Sequence, residues 1–335
     1  MPNTKELARH EEVQKRFTGA HALCAGCGIP ICVRTILNAI EEPVVAINAT
    51  GCLEVATTRY PTTAWNIPWI HVAFENAAAV ASGVETAYRA LRRRGKVSQE
   101  IRFVAFGGDG GTYDIGLQAL SGALERGHRF LYVCYDNEAY MNTGNQRSGA
   151  TPFAAQTSTA PVGERSFGKS QRRKDLTEIV AAHHVPYVAQ ASISDWYDLA
   201  VKVRKAVSVD GPAFLNVLST CPRGWGHPSD QSIKIARLGV ETCYWPLYEI
   251  IEGRWQLNYI PEERLPITEW LRPQRRFAHL FEPGKEALLA QIQRQVDADW
   301  EKLLRRCEDL PPAPFPKREG EFSSPVGERQ REIWR

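Results

Sequence analysis

From about residue 43 the chain alternates short apolar runs of β type with stretches whose apolar positions recur at helical spacing. PVVAINAT (43–50) reads as a strand. Residues 74–94, FENAAAVASGVETAYRALRRR, are rich in small and unbranched residues and end in a basic turn before Gly95, which predicts a helix. IRFVAFGGDG is a strand running into a glycine turn, and TYDIGLQALSGALERG is the helix after it. RFLYVCYDN (129–137) is a third strand, apolar enough to be covered on both faces. After a polar loop come a helix near 175–184, the strand VPYVAQA, the helix of SDWYDLAVKVRKAVSVD and the strand PAFLNVLST. The alternation predicts an α/β fold with a doubly wound, mostly parallel sheet.

Beyond residue 221 the pattern changes. WPLYEIIEGRWQLNYI predicts a hairpin turning at Glu252 and Gly253, and 285–308 a charged amphipathic helix. From 311 to 335 proline and charge dominate without an apolar period, which suggests an extended arm, wrapped on a partner or mobile. The expected organisation is therefore a main domain over 1–240 and a C-terminal extension over 241–335.

Composition narrows the class. Across 335 residues, 43% hydrophobic and 24% charged, a net charge of +3 fits neither disorder nor a nucleic-acid-binding tail. No window approaches the roughly 18 consecutive apolar residues of a membrane span, and the start, MPNTKELARHEEVQKRF, is too charged for a secretory signal. A soluble, cytoplasmic protein is expected, with no nucleic-acid or membrane partner.

Eight cysteines without a signal peptide favour metal ligation or burial over disulfides. Cys24 and Cys27 form a C-x-x-C in LCAGCGIP, while Cys52 and Cys221 each follow an apolar run at the functional edge of a parallel sheet. Cys32, Cys134, Cys243 and Cys307 read as core residues. For the first four, tetrahedral zinc, a 4Fe-4S cluster and a redox C-x-x-C with two bystanders all remain open.

In open parallel sheets ligands bind at the carboxyl ends of the strands. There the turn GGDGG offers Gly108, Gly110 and Gly111 for close approach of a diphosphate, and Asp109 as an oxygen ligand for a divalent ion. Twenty-six residues, from Gly111 through Asp136, then separate the GDG triplet from Asn137; that is one helix plus one strand, which puts Asn137 beside Asp109. The loop YMNTGNQ (140–146) lies close by.

GDG, about 26 residues, then N is similar to the thiamine diphosphate signature. With GGDGGTYDIGLQALSGALERGH, YDNEAYMNTGNQRSGATP, TAPVG, HALCAGCG, ATGCLEV, FENAAAVASGVETAYRAL and ETCYWPLYE, the chain resembles the beta subunits of pyruvate:ferredoxin oxidoreductases (pyruvate synthases) over roughly 18–250. The resemblance implies a thiamine diphosphate-binding fold of the PP type. It implies that Cys24, Cys27, Cys52 and Cys221 bind one 4Fe-4S cluster. Mg2+ would be held by Asp109, the Asn137 side chain and the Ala139 carbonyl, with the diphosphate along Gly108, Gly110 and Gly111. Asn142 would hydrogen-bond substrate near the reactive carbon, and Met141 and Thr143 would line the same pocket. Thr50, Gly51 and Cys52 would approach the aminopyrimidine and thiazolium side, with Glu54 at its margin. Ala25 departs from the proline common in the family's C-P-G-C-G, without loss of a cysteine.

The resemblance further implies an alpha subunit that supplies the glutamate activating the cofactor, gamma and ferredoxin-like delta subunits, ferredoxin as acceptor, and coenzyme A with a 2-oxo acid, pyruvate, as substrates. This subunit alone would be inactive. The same machinery acting on oxalate or another 2-oxo acid is the enzymatic alternative, and a zinc-stabilised assembly protein the non-catalytic one. Of the remaining residues, His183 and His184 read as packing or capping groups, the basic run 171–174 as a solvated loop, and Trp65 and Trp69 as an apolar loop buried at a subunit contact.

Overall fold

The computed structural model describes residues 15–307. The expected arm at 311–335 and most of the charged start lie outside the described residues. Ten strands are present among them: β1 (Val44–Ala49), β2 (Trp69–Val72), β3 (Arg102–Gly108), β4 (Leu131–Asp136), the short pair β5 (Val162–Gly163) and β6 (Ser166–Phe167), β7 (Tyr187–Ser192), β8 (Ala213–Leu218), β9 (Tyr248–Ile251) and β10 (Arg254–Leu257). Eight form one sheet in the order β10-β9-β7-β8-β4-β3-β1-β2. All pairings from β7 to β2 are parallel, and in this sheet only the two pairings of β9, with β7 and with β10, are antiparallel. The doubly wound sheet is as the alternating pattern predicts.

Helices cover both faces. α1 (Ile29–Ala39) precedes β1, and the short α2 (Cys52–Thr57) follows it. α3 (Ala77–Arg93) and α4 (Leu117–Glu125) pack together on one face. α5 (Leu176–Ala181) leads into β7, and α6 (Trp196–Ser208) packs on α1 across the other face. Every residue of β4, β7 and β8 is buried, the signature of a strand covered on both sides.

Three local differences from the sequence reading have physical causes. α3 begins at Ala77 rather than 74, because Phe74 and Glu75 press their carbonyls against the glycine turn: a Cβ on Gly111 would lie 3.0 Å from Phe74 O. The helix after β3 opens as a π-helical turn, Gly110–Ile115, closed by Gly116 N donating to Gly111 O at 2.7 Å. Trp69 is not in a loop but opens the edge strand β2, and Trp65 is buried within this chain, its indole donating to Thr57 Oγ1 at 2.8 Å.

After β8 come α7 (Pro222–Trp225), α8 (Ser232–Glu241), α9 (Ile267–Leu271) and α10 (Glu286–Cys307). Glu252 and Gly253 turn the β9–β10 hairpin with φ of 49° and 80°, the left-handed pair a two-residue turn requires. β9 is hydrogen-bonded to β7, so the sheet runs on across residue 240.

Candidate functional site

The strands β8, β4, β3 and β1 are neighbours, and each ends in a residue singled out above. β1 delivers Thr50, Gly51 and Cys52; β3 delivers Asp109; β4 delivers Asn137; β8 delivers Cys221. After β1 the chain pairs β2 on one side and returns to place β3 on the other, so a topological switch point lies between β1 and β3.

Asp109 is 1% exposed. Its Oδ2 accepts a hydrogen bond from Ser148 Oγ at 2.5 Å, and its Oδ1 accepts one from the Asn137 backbone N–H at 3.4 Å. Burial, then the neighbouring Asp136, pushes the Asp109 carboxyl well above its ordinary range. One terminal atom of the Asn137 amide sits 2.9 Å from Asp109 Oδ1 and 2.9 Å from Ala139 O. With the amide oxygen there, three oxygens converge on one point. Cis ligands of an octahedral ion with bonds of 2.0–2.1 Å are about 2.9 Å apart, so the spacing suits Mg2+. Without a cation, the amide would satisfy the same contacts by turning its NH2 inward. Gly110 keeps the cradle open, since a Cβ there would stand 2.4 Å from the Tyr140 ring.

Beneath this turn lies an ion network that the sequence reading missed. The run 171–174 is not simply a solvated loop. Arg173 donates to Asp136 Oδ2 at 2.8 Å, Glu138 Oε1 at 3.0 Å and Tyr113 Oη at 2.7 Å. Glu138 is fully buried, with Tyr244 Oη donating to it at 2.6 Å and Arg276 on its other oxygen. It adopts φ of 68°, a strained conformation for a side-chain-bearing residue, which these partners hold. Glu138 stands between Asn137 and Ala139, so the network fixes the backbone that presents both. A cavity of about 350 Å³ lies beyond Arg173 and Tyr113. Its Arg172, Lys302 and Arg306 are paired with Asp299 and Glu178.

Lys169 secures the loop that carries Ser148. The buried ammonium donates to the carbonyls of Thr151 at 2.5 Å, Ser148 at 3.2 Å and Gly149 at 3.3 Å. Burial, with Arg173 and Arg147 adding to it, brings its pKa down to about 8. Between that value and the ordinary lysine range the unfolded chain holds a proton the folded chain has lost, so this residue contributes a rise in stability with pH. In urea titrations at several pH values, Lys169→Met is expected to flatten that rise between about pH 8 and 10.5. An unchanged slope would refute the assignment.

The 140–146 loop is closed by paired backbone bonds between Tyr140 and Gln146. Asn142 is exposed at its tip, and Thr143 Oγ1 donates to Gln146 Oε1 at 2.5 Å. Met141 packs on α7 instead, where a Cβ on Gly224 would meet its sulfur at 2.1 Å. Thr50 Oγ1 contacts His71 Nε2 at 2.8 Å, and the Glu54 carboxylate is 3.7 Å from the same nitrogen.

The four cysteines come together. Cys52, Cys221 and Cys24 each raise the pKa of Cys27 electrostatically, and Cys24 acts on Cys52 and Cys221 in turn. Burial dominates: it lifts the Cys27 and Cys221 thiols and pushes Cys52 up to about 12. Positive charge from a bound metal is what would make thiolates of them. Among the described residues no three His, Cys, Asp or Glu side chains are placed to share a single ion. Gly26 makes the wrap possible, with φ of 73° and a hypothetical Cβ 2.1 Å from Ser229 O. Gly28 N donates to Thr220 O at 3.0 Å, docking the C-x-x-C loop on the end of β8. Cys221 Sγ accepts from Gly224 N at 3.3 Å, and Trp225 of the same helix donates to Asn137 O at 2.8 Å. The thiol group and the oxygen trio are thus joined through one indole. Cys32, Cys134 and Cys243 are buried apart from them, as expected of core residues.

The fold and its glycine–aspartate turn define a class, and comparison agrees: the family model "Thiamine pyrophosphate enzyme, C-terminal TPP binding domain" matches residues 49–217. Pyruvate synthase subunit PorB of Thermotoga maritima is 51% identical over 90% of this chain and 95% of its own length. The PorB subunit of Methanothermobacter marburgensis is 54% identical over 84% and 95%. The chain belongs to the family of pyruvate synthase PorB subunits. Ketoisovalerate oxidoreductase subunit VorB of Pyrococcus abyssi is 41% identical over 88% of this chain and 94% of that protein. Among solved structures, a 2-oxoglutarate:ferredoxin oxidoreductase from Magnetococcus marinus shares the fold at 21% identity, with a TM-score of 0.51 over 68% of this chain and 81% of that one. No helix among the described residues is long and apolar enough to cross a membrane.

Proposed function

We propose that this chain carries thiamine diphosphate, Mg2+ and one 4Fe-4S cluster in an oxidoreductase that converts pyruvate and coenzyme A to acetyl-CoA and carbon dioxide, and runs the reverse, with ferredoxin as electron partner. The observation that carries the reading is the oxygen trio of Asp109, Asn137 and Ala139, tied through Trp225 to four neighbouring cysteines. When bound, thiamine diphosphate supplies an electron sink for decarboxylation. Asp109 and its two companions would hold the cation, and the amides after Gly108 would receive the diphosphate. Cys24, Cys27, Cys52 and Cys221 would ligate the cluster. Asn142, at the exposed tip of its loop, is the candidate for substrate contact, with Thr143 beside it. The activating glutamate would come from an alpha subunit, and gamma and delta subunits would complete the assembly in the cytoplasm.

Pyruvate is favoured over oxalate or other 2-oxo acids because relatives near half identity are named for pyruvate synthase; the VorB relative marks the branched-chain alternative. Anaerobic purification followed by iron, sulfide, zinc and thiamine analysis tests the core of the proposal. Cys221→Ser is expected to lose most of the iron while retaining thiamine diphosphate. Stoichiometric zinc with neither iron nor thiamine would instead support the assembly-protein reading. Turnover with a panel of 2-oxo acids tests the substrate.

A further inference from the structure

Tyr135 is the next-to-last residue of β4 and pairs in register with Gly108 of β3. Because Gly108 has no side chain, the phenol can lie across the end of β3; a Cβ there would be 3.2 Å from the ring. Its Oη reaches toward the end of β1, where a Cβ on Gly51 would be 3.1 Å away. Two glycines therefore clear a path for one hydroxyl, which ends next to the residue preceding Cys52. Tyr135 is 2% exposed, and Oη has no hydrogen-bond partner. A buried hydroxyl left unpaired is costly, so an acceptor is expected to arrive with a ligand. A phenol is protonated at neutral pH and so has a proton to donate.

We propose that the Tyr135 hydroxyl donates a hydrogen bond to a sulfur of the cluster bound at Cys52, and so tunes its reduction potential as a positioning and electronic residue. This rests on the iron–sulfur reading above. A donor to cluster sulfur stabilises the more negative reduced form, so its removal lowers the potential.

The test uses the full chain reconstituted anaerobically with iron and sulfide. Tyr135→Phe removes only Oη and is expected to retain wild-type iron content. Its reduction equilibrium, followed by spectroscopic redox titration, should shift about tenfold, or ~59 mV, toward the oxidised form. In the unaltered protein, exchange into D2O should shift Fe–S vibrational bands, and this exchange effect should weaken in the variant. An iron-loaded variant with unchanged potential and exchange effect overturns the proposal. So does a loss of thiamine diphosphate affinity at constant potential, which would assign the hydroxyl to the coenzyme. If the unaltered chain binds no iron, the functional reading fails and takes this inference with it.

Discussion

Asp109→Asn should weaken Mg2+-dependent thiamine diphosphate binding by at least ~100-fold, because replacing groups merely behind a metal ligand already costs 10–100-fold. The variant keeps the size of the side chain and an oxygen for Ser148, but removes the anionic member of the oxygen trio. Its effect on the cofactor-free chain should have the opposite sign. Burial and Asp136 disfavour the Asp109 carboxylate, so the neutral amide should leave the melting temperature unchanged or raise it. Calorimetric titration with thiamine diphosphate and Mg2+, paired with thermal melts of the free chain, reads both. Unaltered coenzyme affinity would remove Asp109 from the site.

Arg276→Met is expected to destabilise the chain by about 3 kcal/mol, the lower end of the cost of breaking a buried ion pair. Arg276 is 5% exposed, lies 4.1 Å above the Trp225 ring, and donates to Gln274 at 2.7 Å as well as to Glu138. Glu138 would keep Arg173 and Tyr244, which is why the loss should fall at the lower end. Adding Glu138→Gln should recover part of it by removing a buried carboxylate that has lost one of its two cationic partners. Urea denaturation of the single and double variants measures this, and a single-variant loss below about 1 kcal/mol would refute a structural role for the pair.

The sheet was legible because its signal is local. Covered parallel strands are continuous apolar runs, and β4, β7 and β8 are buried at every position. The strand ends followed: once PVVAINAT, IRFVAF and PAFLNVLST are strands, Cys52, Asp109 and Cys221 fall at their carboxyl ends without further information. The ion network was not legible. Glu138 and Arg276 are 138 positions apart, and nothing periodic connects them. Arg173 sits in a run of charges that on local grounds belongs in water. Trp65 was misplaced for a related reason, since its indole is satisfied by Thr57, and a lone threonine carries no sign of that duty. The π-helical turn after Asp109 depends on the carbonyls of Phe74 and Glu75 crowding the glycines, a tertiary effect invisible in the turn itself.

The position of β8 also bears on the order of events during biosynthesis. It slots between β4 and β7, both of which precede it in the chain, and it alone brings Cys221 to thiols that emerged far earlier. A nascent chain therefore has an incomplete sulfur set until this late segment is made, and the four-thiolate centre proposed above would be completed only after most of the sheet's strands have been synthesised.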